Sequence, residues 1–272
     1  MATLVEYLTA GADGDLVSWK VQQSAMETFG FSCAVVEEAI LSIGLLPARY
    51  QRNRQTVSTA GQLRLFRSRV AVVGCGGLGG YVIEQLARLG VGNLVAIDPD
   101  IFEEHNLNRQ LLSSLDELGK SKVDAAVARV GAINPAVTIT PHAVAFCSVN
   151  GAELFDGVQL VVDALDSIPV RLELADVCNR LNLPLVHGAI GGWYGHLTTQ
   201  FPGDKCIESV YRNWASGKGM EQHLGNPSFT PAVVASMQVA EACKLLLGET
   251  SLLRGRILSV DLLSMEFHEM GL

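Results

Sequence analysis

The sequence predicts an α/β protein built on a doubly wound, mostly parallel sheet, with antiparallel strands near the C-terminus and a small helical appendage at the N-terminus. Two observations predict this fold: short apolar runs alternate with helical patterns through the middle of the chain, and the alternation changes after Gly191. The 272 residues suit one large domain with a small addition, and a hydrophobic content of 49% supplies a core of useful size.

Residues 1–48 form the predicted appendage, and residues 49–272 form the predicted main domain. Apolar residues recur at helical spacing over 16–29 and 32–43, and Gly30 divides the two segments. A pair of helices around a glycine also occurs in helix-turn-helix units. The acidic balance and the lack of a basic second helix favour a packing or docking arm instead. The stretch 49–67 that follows is polar and rich in arginine.

Five short apolar runs predict the parallel strands of the main domain. They lie at 70–73, 94–97, 137–140, 160–162 and 185–187. Helical patterns near 78–89, 121–131 and 171–181 separate them, as expected for a parallel sheet.

The pattern changes over the last third of the chain. The alternation over 195–200 predicts an exposed strand, the polar stretch 203–228 predicts a loop, and strand-like runs at 257–263 and 265–268 close the chain. A helix is predicted between them, with Thr230 as its hydroxyl cap, Pro231 in its first turn and Gly248 at its end.

A glycine loop connects the first predicted strand to the first helix. Gly74, Gly76 and Gly79 have the spacing Gly-x-Gly-x-x-Gly. The first glycine permits a tight turn, the second lets a phosphate approach the backbone, and the third allows close helix packing, while the helix N-terminus attracts anions. Asp98 ends the next strand, where a carboxylate meets a ribose hydroxyl. In this context the loop predicts a Rossmann-like nucleotide site, and the alternative is a tight turn without a ligand.

Basic and amide side chains follow Asp98 closely. The stretch from Asn106 to Gln110 contains Arg109, and Lys122 lies at a predicted helix start. A dinucleotide has little use for both cations, whereas a triphosphate carries extra charge that Arg and Lys neutralise. The pattern favours ATP, and the alternative is a solvated polar loop.

These motifs, in this order, resemble those of the MoeB/ThiF/HesA family, whose members are related to the ubiquitin-activating enzymes. The resemblance covers about residues 49–268 and includes the sequences at 49–52, 162–166 and 187–189. The family adenylates the C-terminal carboxylate of a ubiquitin-like sulfur carrier that ends in Gly-Gly. The resemblance therefore implies the same reaction for this chain, with ATP and Mg²⁺ as its cofactors.

The resemblance also implies roles for individual residues. The residues implied in nucleotide binding are Gly74, Gly76, Gly77 and Gly79 in the phosphate loop, Asp98 at the ribose, Asn106, Arg109 and Lys122 at the triphosphate, and Gln110 in support of the loop. Arg109 and Lys122 would also stabilise charge at the α-phosphate as pyrophosphate leaves.

Two further roles come from the same resemblance. Asp166 would position Mg²⁺; without the resemblance, a turn or a helix cap before Pro169 is the alternative. Arg52 matches an arginine that reaches the nucleotide of a neighbouring subunit, which implies a homodimer. Arg54 is a rival for this role, because the spacing to Gly74 is shorter than in typical members.

The cysteines depart from the family pattern. Six cysteines without any Cys-x-x-Cys motif predict reduced thiols in a cytoplasmic protein and no zinc site. Cys206 occupies the place of a first zinc ligand, but Ser209 stands three residues later. Residues 207–228 contain no cysteine, so Cys206 is the candidate for any covalent sulfur step, and we expect an ordinary thiol because neither His nor Arg stands beside it.

Composition excludes some classes of partner and leaves several functions open. The net charge of −8 disfavours nucleic acid and anionic membrane surfaces, and no uninterrupted run of about 18 apolar residues predicts a membrane span. The favoured function is ATP-dependent adenylation of a sulfur carrier for cofactor or thio-metabolite synthesis. The alternatives are adenylation of a tRNA-linked carboxylate or a peptide terminus, an NAD(P)-linked oxidoreductase, and a non-catalytic adaptor that binds a ubiquitin-like partner.

Overall fold

The computed structural model describes residues 3–212 and 224–272. Within those ranges the helices are α1 (Leu4–Ala10), α2 (Trp19–Phe29), α3 (Cys33–Ser42), α4 (Thr59–Phe66), α5 (Gly77–Leu89), α6 (Lys122–Ile133), α7 (Gly151–Leu154), α8 (Ile168–Arg180), α9 (Cys206–Tyr211) and α10 (Phe229–Leu247). The strands are β1 (Leu16–Val17), β2 (Leu46–Pro47), β3 (Arg69–Val73), β4 (Asn93–Ile97), β5 (Thr138–His142), β6 (Leu160–Asp163), β7 (Leu185–Gly191), β8 (Tyr194–Gln200), β9 (Arg256–Asp261) and β10 (Glu266–Gly271).

The main sheet has eight strands in the order β10-β9-β8-β7-β6-β3-β4-β5. Strands β7, β6, β3, β4 and β5 run parallel, and β8, β9 and β10 add to the β7 edge as antiparallel neighbours. The predicted Rossmann-like, mostly parallel sheet with antiparallel C-terminal strands is therefore confirmed. The chain adds β4 and β5 on one side of β3 and then β6 and β7 on its other side, so the strand order reverses between β3 and β6. Such a reversal leaves a crevice at the carboxyl ends of these two strands.

Helices cover both faces of the sheet and bury the apolar parallel strands. On one face, α5, α6 and α10 pack over alternate residues of β3 and β4. On the other face, α7, α8 and α9 cover the remaining residues of the same strands and of β6. Burial on both faces explains why these strands read as continuous apolar runs. The site described below is thus held between two packed layers.

One helix passes the length and composition test for a membrane span among the described residues. It is α10, 19 residues long, whose apolar window is 44% buried inside the protein. The helix packs against α5 and β7 in the core of the main domain. Its hydrophobicity is therefore explained by packing within the fold.

A buried polar cluster joins the N-terminal helices to the main domain. The Tyr50 hydroxyl donates to Glu37 Oε1 at 2.6 Å, and the Asn134 amide donates to the Tyr50 oxygen at 2.8 Å. Arg49 also donates to Asn134 and lies 3.4 Å from the second oxygen of Glu37. Glu37 is fully buried, and this burial raises the pKa of its carboxyl group. The fixed partners on both sides hold α3 against the end of α6.

Three local expectations were wrong. Strand β8 is mostly buried rather than exposed, because it lies between β7 and β9 and its polar residues have internal partners: Thr198 donates to Arg256, and Thr199 donates to Glu241. Thr230 does not cap α10; Ser228 is at the N-cap, and the Thr230 hydroxyl donates to the Gly192 carbonyl at 2.6 Å.

The third wrong expectation concerns helix content. Helices α1 and α4 arise where no helix was predicted, and α9 interrupts the predicted 203–228 loop. Residues 213–223 of that predicted loop lie outside the described residues.

Candidate active site

A cavity of about 320 Å³ lies at the crevice between β3 and β6. Its walls come from the loop after β3, the end of β4, the turn after β6 and the start of α6. Ligands of doubly wound folds bind at this reversal point, outside the carboxyl ends of the strands. The cavity is therefore the candidate active site.

The glycine loop forms the floor of the cavity. Gly74 has a φ of +94°, and a Cβ there would lie 2.6 Å from the carbonyl oxygen of Ala164. Gly79 is equally restricted, since a Cβ would lie 1.7 Å from the Gly74 oxygen. A methyl group at Gly77 would have its nearest neighbour at 3.7 Å, which is ordinary contact. Gly74 and Gly79 are thus required by the fold, whereas Gly77 borders the open cavity.

Helix α5 begins at the cavity with no side-chain cap. Gly76 occupies the N-cap position and provides no side-chain acceptor for the first N–H groups of the helix. Both Gly76 and Gly77 line the cavity. The unpaired N–H groups and the helix dipole favour a phosphate group at this end.

Asp98 closes the cavity at the end of β4. One carboxylate oxygen accepts the Cys75 N–H at 2.6 Å, and the other accepts the Asp100 N–H at 2.8 Å. Burial raises the pKa of Asp98, while the Cys75 N–H and then Lys122 act to lower it. The glycine loop is therefore fixed to the end of β4 by a carboxylate that also lines the cavity.

Lys122 is the first residue of α6, and its side chain is 7% exposed. Its ammonium group lies 2.8 Å from Asp100 and 4.0 Å from Asp98. The Asp100 side chain is 62% exposed and that of Asp98 is 7% exposed, so the buried cation has one exposed and one buried anionic partner. Lys122 is positioned to exchange the exposed carboxylate for a ligand phosphate.

Arg109 and Gln110 also line the cavity. The Arg109 guanidinium donates to the His105 carbonyl at 3.0 Å and to the Asn108 side chain at 2.9 Å. Burial lowers the pKa of Arg109, and the charge of Asp166 raises it. Gln110 is 94% buried, and its Oε1 has no hydrogen-bond partner among the described residues. An unpaired buried acceptor facing a cavity is a feature that a bound ligand donor would satisfy.

Asp166 follows β6 and lines the cavity together with Leu165 and Ser167. Its carboxylate is exposed, and it is close enough to Arg109 to interact electrostatically. The structure thus brings Asp166 to the same cavity as Lys122 and the glycine loop, although 44 residues separate Lys122 from Asp166 in the sequence.

Most of the predicted site residues share this cavity. They are Gly74, Gly76, Gly77, Asp98, Arg109, Gln110, Lys122 and Asp166. Among the described residues, Gly79, Asn106 and Arg52 are not part of its lining. Asn106 is buried and accepts the Glu103 N–H at 2.9 Å, which fixes the turn that carries Arg109.

The two candidate inter-subunit arginines differ in their surroundings. Arg54 donates to Asp15 at 2.7 Å, so its charge is paired within the same chain. Arg52 is exposed, and no hydrogen bond or ion pair to the described part of the chain accounts for its guanidinium. Between the two, this contrast favours Arg52 as the arginine that is available to another subunit.

Three cavity residues were missed by sequence reasoning. Asp100 stands two residues after Asp98, and that spacing was a usable signal. Arg171 is a buried arginine inside α8, and Asn226 comes from the polar stretch before α10. The sequence offered no pattern that marks either of the last two.

One thiol, that of Cys75, belongs to the glycine loop, where burial raises its pKa well above the usual value. All six cysteines are unpaired. Cys206 is buried in a different cavity beside Arg254, so the expectation that no Arg lies near this thiol is wrong. Burial outweighs the charge of Arg254 and raises the pKa of the thiol. Over residues 3–212 and 224–272, no group of three or more His, Cys, Asp or Glu side chains is arranged to hold a metal ion.

Comparison with known families agrees with the geometry of this cavity. The model of the ThiF family matches residues 50–272, which is most of the chain. The chain belongs to the ThiF family. The predicted resemblance to MoeB, ThiF and HesA proteins is therefore confirmed.

Curated relatives show the same kinship, and solved structures share the fold. The chain is 40% identical over 224 residues to the SAMP-activating enzyme E1 of Haloferax volcanii, covering 80% of this chain and 83% of that protein. It is 34% identical over 232 residues to the sulfur carrier protein adenylyltransferase of Thermus thermophilus, covering 82% and 86%. The fold also matches E. coli MccB crystallised with ATP, with a TM-score of 0.66, 20% identity, and coverage of 92% of this chain and 82% of that one.

Proposed function

We propose that this ThiF-family protein is an adenylyltransferase that uses ATP to activate the C-terminal carboxylate of a small ubiquitin-like sulfur carrier. One observation carries the proposal: a single cavity joins the uncapped N-terminus of α5, two cations and the carboxylate of Asp166. The two curated relatives named above, an activating enzyme and a sulfur carrier adenylyltransferase, support the same reaction.

The residues of the cavity suit the parts of ATP. Gly76, Gly77 and the first turn of α5 would hold phosphate groups, and Asp98 would accept hydrogen bonds from the ribose. Gln110 offers its unpaired Oε1 to a donor on the nucleotide or substrate. A cavity lined by both Arg109 and Lys122 suits a triphosphate better than a dinucleotide.

The proposed reaction forms one bond and breaks one bond. A carboxylate oxygen of the carrier attacks the α-phosphorus of ATP, and the bond from that phosphorus to the bridging oxygen of the β-phosphate breaks. Pyrophosphate leaves with the electron pair, and the carrier becomes an acyl-adenylate. Arg109 and Lys122 would stabilise the negative charge that builds up on these oxygens, and the rigid cavity would place the two anions in line.

We propose Mg²⁺ as the metal of this site. Mg²⁺ binds through one or two carboxylates together with substrate phosphates, and Asp166 supplies one carboxylate at the cavity. When bound, the metal neutralises phosphate charge and orients the leaving pyrophosphate. Asp166 also faces Arg109 across the same space, so it would hold the metal beside a catalytic cation.

We propose further that the protein works as a cytoplasmic homodimer in which Arg52 serves the partner's site. Arg52 is exposed and is not used within the described part of its own chain, whereas Arg54 is paired with Asp15. Arg52→Ala should lower activity, and mixing Arg52→Ala with Arg109→Ala protein should restore part of it, because each mixed dimer regains one site with both arginines.

The direct test is exchange of labelled pyrophosphate into ATP. The wild-type protein should catalyse exchange with a small ubiquitin-like carrier from the same genome that ends in Gly-Gly, and should not do so when the last glycine of the carrier is removed. Arg109→Ala should lower the rate by about 100-fold or more, as expected for loss of a charge-stabilising donor. Arg180→Ala is the matched control, since Arg180 is exposed and pairs only with Asp176 among the described residues.

The same experiment separates the alternatives. No exchange with any such carrier would contradict the proposal. NADH binding without ATP-dependent exchange would support an oxidoreductase, and carrier binding without release of pyrophosphate would support an adaptor.

A further inference from the structure

A group of buried polar residues beneath the cavity has no role in the scheme so far. It consists of Asp163 at the end of β6, His187 on β7, Arg171 on α8 and Tyr211 at the end of α9. Asp163 and His187 are fully buried, and Arg171 and Tyr211 are nearly so. Burial of so many polar groups is costly unless each is hydrogen-bonded, and such networks commonly serve to fix geometry.

The hydrogen bonds at Asp163 and Arg171 have fixed directions, because a carboxylate only accepts and a guanidinium only donates. The Asp163 carboxylate can only accept, so His187 donates from Nδ1 to Asp163 Oδ2 at 2.6 Å. Burial lowers the pKa of His187, which keeps the ring neutral and leaves Nε2 as an acceptor. The Tyr211 hydroxyl at 3.1 Å can donate to that nitrogen, as can His196 Nε2 at 3.3 Å. Arg171 Nη1 in turn donates to the Tyr211 oxygen at 3.0 Å.

Both ends of this chain of bonds meet at Leu165. The Leu165 N–H donates to Asp163 Oδ1 at 2.9 Å, and Arg171 Nη2 donates to the Leu165 carbonyl. The four side chains therefore form a closed ring of hydrogen bonds with one backbone residue. That residue lines the cavity and immediately precedes Asp166.

We infer that the ring of Asp163, His187, Tyr211 and Arg171 positions the Leu165–Asp166 turn, and so sets where the Asp166 carboxylate stands in the cavity. The inference rests on the adenylyltransferase function proposed above. Asp166 is exposed, so cavity packing alone does not fix its place, whereas the peptide group before it is held on both its N–H and its C=O. His187 and Tyr211 are positioning residues, since they act through Asp163 and Arg171.

A pair of substitutions at His187 tests this role. The amide nitrogen of asparagine reaches the place of Nδ1, and that of glutamine reaches the place of Nε2. His187→Asn should keep the bond to Asp163 and most of the activity, whereas His187→Gln should lose that bond. We expect His187→Gln to lower kcat for pyrophosphate exchange by about 10- to 100-fold, the range for groups that orient a functional ligand.

The expected loss falls on kcat rather than on the KM for ATP. The glycine loop, Lys122 and Arg109 lie on other elements and would still bind the nucleotide. We therefore expect the KM for ATP to change by less than about threefold, or about 0.6 kcal/mol. His268→Gln, at an exposed histidine on β10, is the control for the same chemical change.

The results separate the two levels of the proposal. Two results would overturn the positioning role alone, provided that the wild type catalyses exchange. One is an unchanged kcat in His187→Gln, and the other is an equal loss of kcat in His187→Asn and His187→Gln. No carrier-dependent exchange in the wild type would overturn the proposed function and this inference with it. If His187→Gln does not fold, Tyr211→Phe decides the matter. Tyr211→Phe loses the bond to His187 and also the oxygen that accepts from Arg171, which His187→Asn keeps. It should therefore lower kcat by about tenfold, and an unchanged kcat would overturn the inference.

Discussion

His196 makes the folded protein sensitive to mild acid. The residue lies on β8, and its Nε2 is 3.3 Å from His187 Nε2 and 3.4 Å from the Tyr211 hydroxyl. Burial, then the neighbouring His187 and then Arg171 lower the pKa of His196 from its ordinary value of 6.5 to about 3. Each of these causes opposes a positive charge on the ring. Replacing His196 with glutamine removes the titration and keeps a polar amide.

The size of the effect follows from proton linkage. The unfolded chain takes up the proton near pH 6.5, whereas the folded chain resists it until about pH 3. The stability contributed by the neutral His196 ring is therefore fully present above pH 6.5 and is lost progressively as the pH falls below it. Between about pH 7.5 and pH 5.5 the linkage relation gives a loss of about 1.4 kcal/mol. His196 keeps some contact with solvent, and screening reduces the expected loss to about 1 kcal/mol.

Urea unfolding at the two pH values measures this loss. The free energy of unfolding of the wild type should fall by about 1 kcal/mol more than that of His196→Gln. The difference between the two proteins cancels groups with the opposite sign, such as Asp98, whose pKa is raised by burial. An equal fall in both proteins, or a larger fall in the variant, would refute the reasoning.

Three other perturbations have defined outcomes. Gly77→Ala should leave the Tm nearly unchanged but raise the KM for ATP by about tenfold, or about 1.4 kcal/mol. Gly79→Ala should fail to fold, because its methyl group would lie 1.7 Å from a backbone oxygen. Equal behaviour of the two variants in thermal melts and exchange kinetics would contradict this prediction. Arg49→Met should lower the free energy of unfolding by about 3 kcal/mol in urea, because it leaves the buried Glu37 carboxylate without a positively charged partner. Adding Glu37→Gln should recover most of that loss, and no recovery would count against the ion pair. Cys206→Ser should leave pyrophosphate exchange unchanged, because this thiol lies in another cavity and burial raises its pKa; a large loss of exchange would assign Cys206 a role in adenylation.

The parallel sheet could be predicted because its inner strands β3, β4 and β6 are buried on both faces. Apolar runs and helical patterns then follow each other in a fixed order, and the glycine loop marks where the first strand ends. Helix α4 was missed because its sequence is short and half polar. Only three of its eight side chains are buried: Gln62, Leu65 and Phe66. The β8 strand was misjudged because the hydroxyls of Thr198 and Thr199 resemble a solvent-facing pattern, although tertiary partners satisfy them inside the sheet.

The candidate site could be predicted only where its residues carry a local signal. Gly76 and Lys122 follow recognisable strand and helix boundaries, so spacing along the chain predicted their meeting at one edge of the sheet. Arg171 has no such signal, because its importance comes from partners 6 and 40 residues away, Leu165 and Tyr211. The members of this network lie far apart in the sequence, and the packing of β6, β7, α8 and α9 brings them together.

Lys122 and Asp100 form an ion pair at the cavity where we propose that ATP binds. A nearly buried ammonium group needs an anionic partner, and Asp98 at 4.0 Å is already occupied by two backbone N–H groups. Asp100 supplies the missing charge from an exposed position, so it can turn away into water at little cost when phosphate arrives. In the proposed function, Lys122 would exchange one anion for another and keep an anionic partner throughout. An aliphatic residue in place of Asp100 would remove this exposed partner of Lys122. Asp98, which also anchors the glycine loop, would then be the remaining carboxylate near the ammonium group in the described part of the chain.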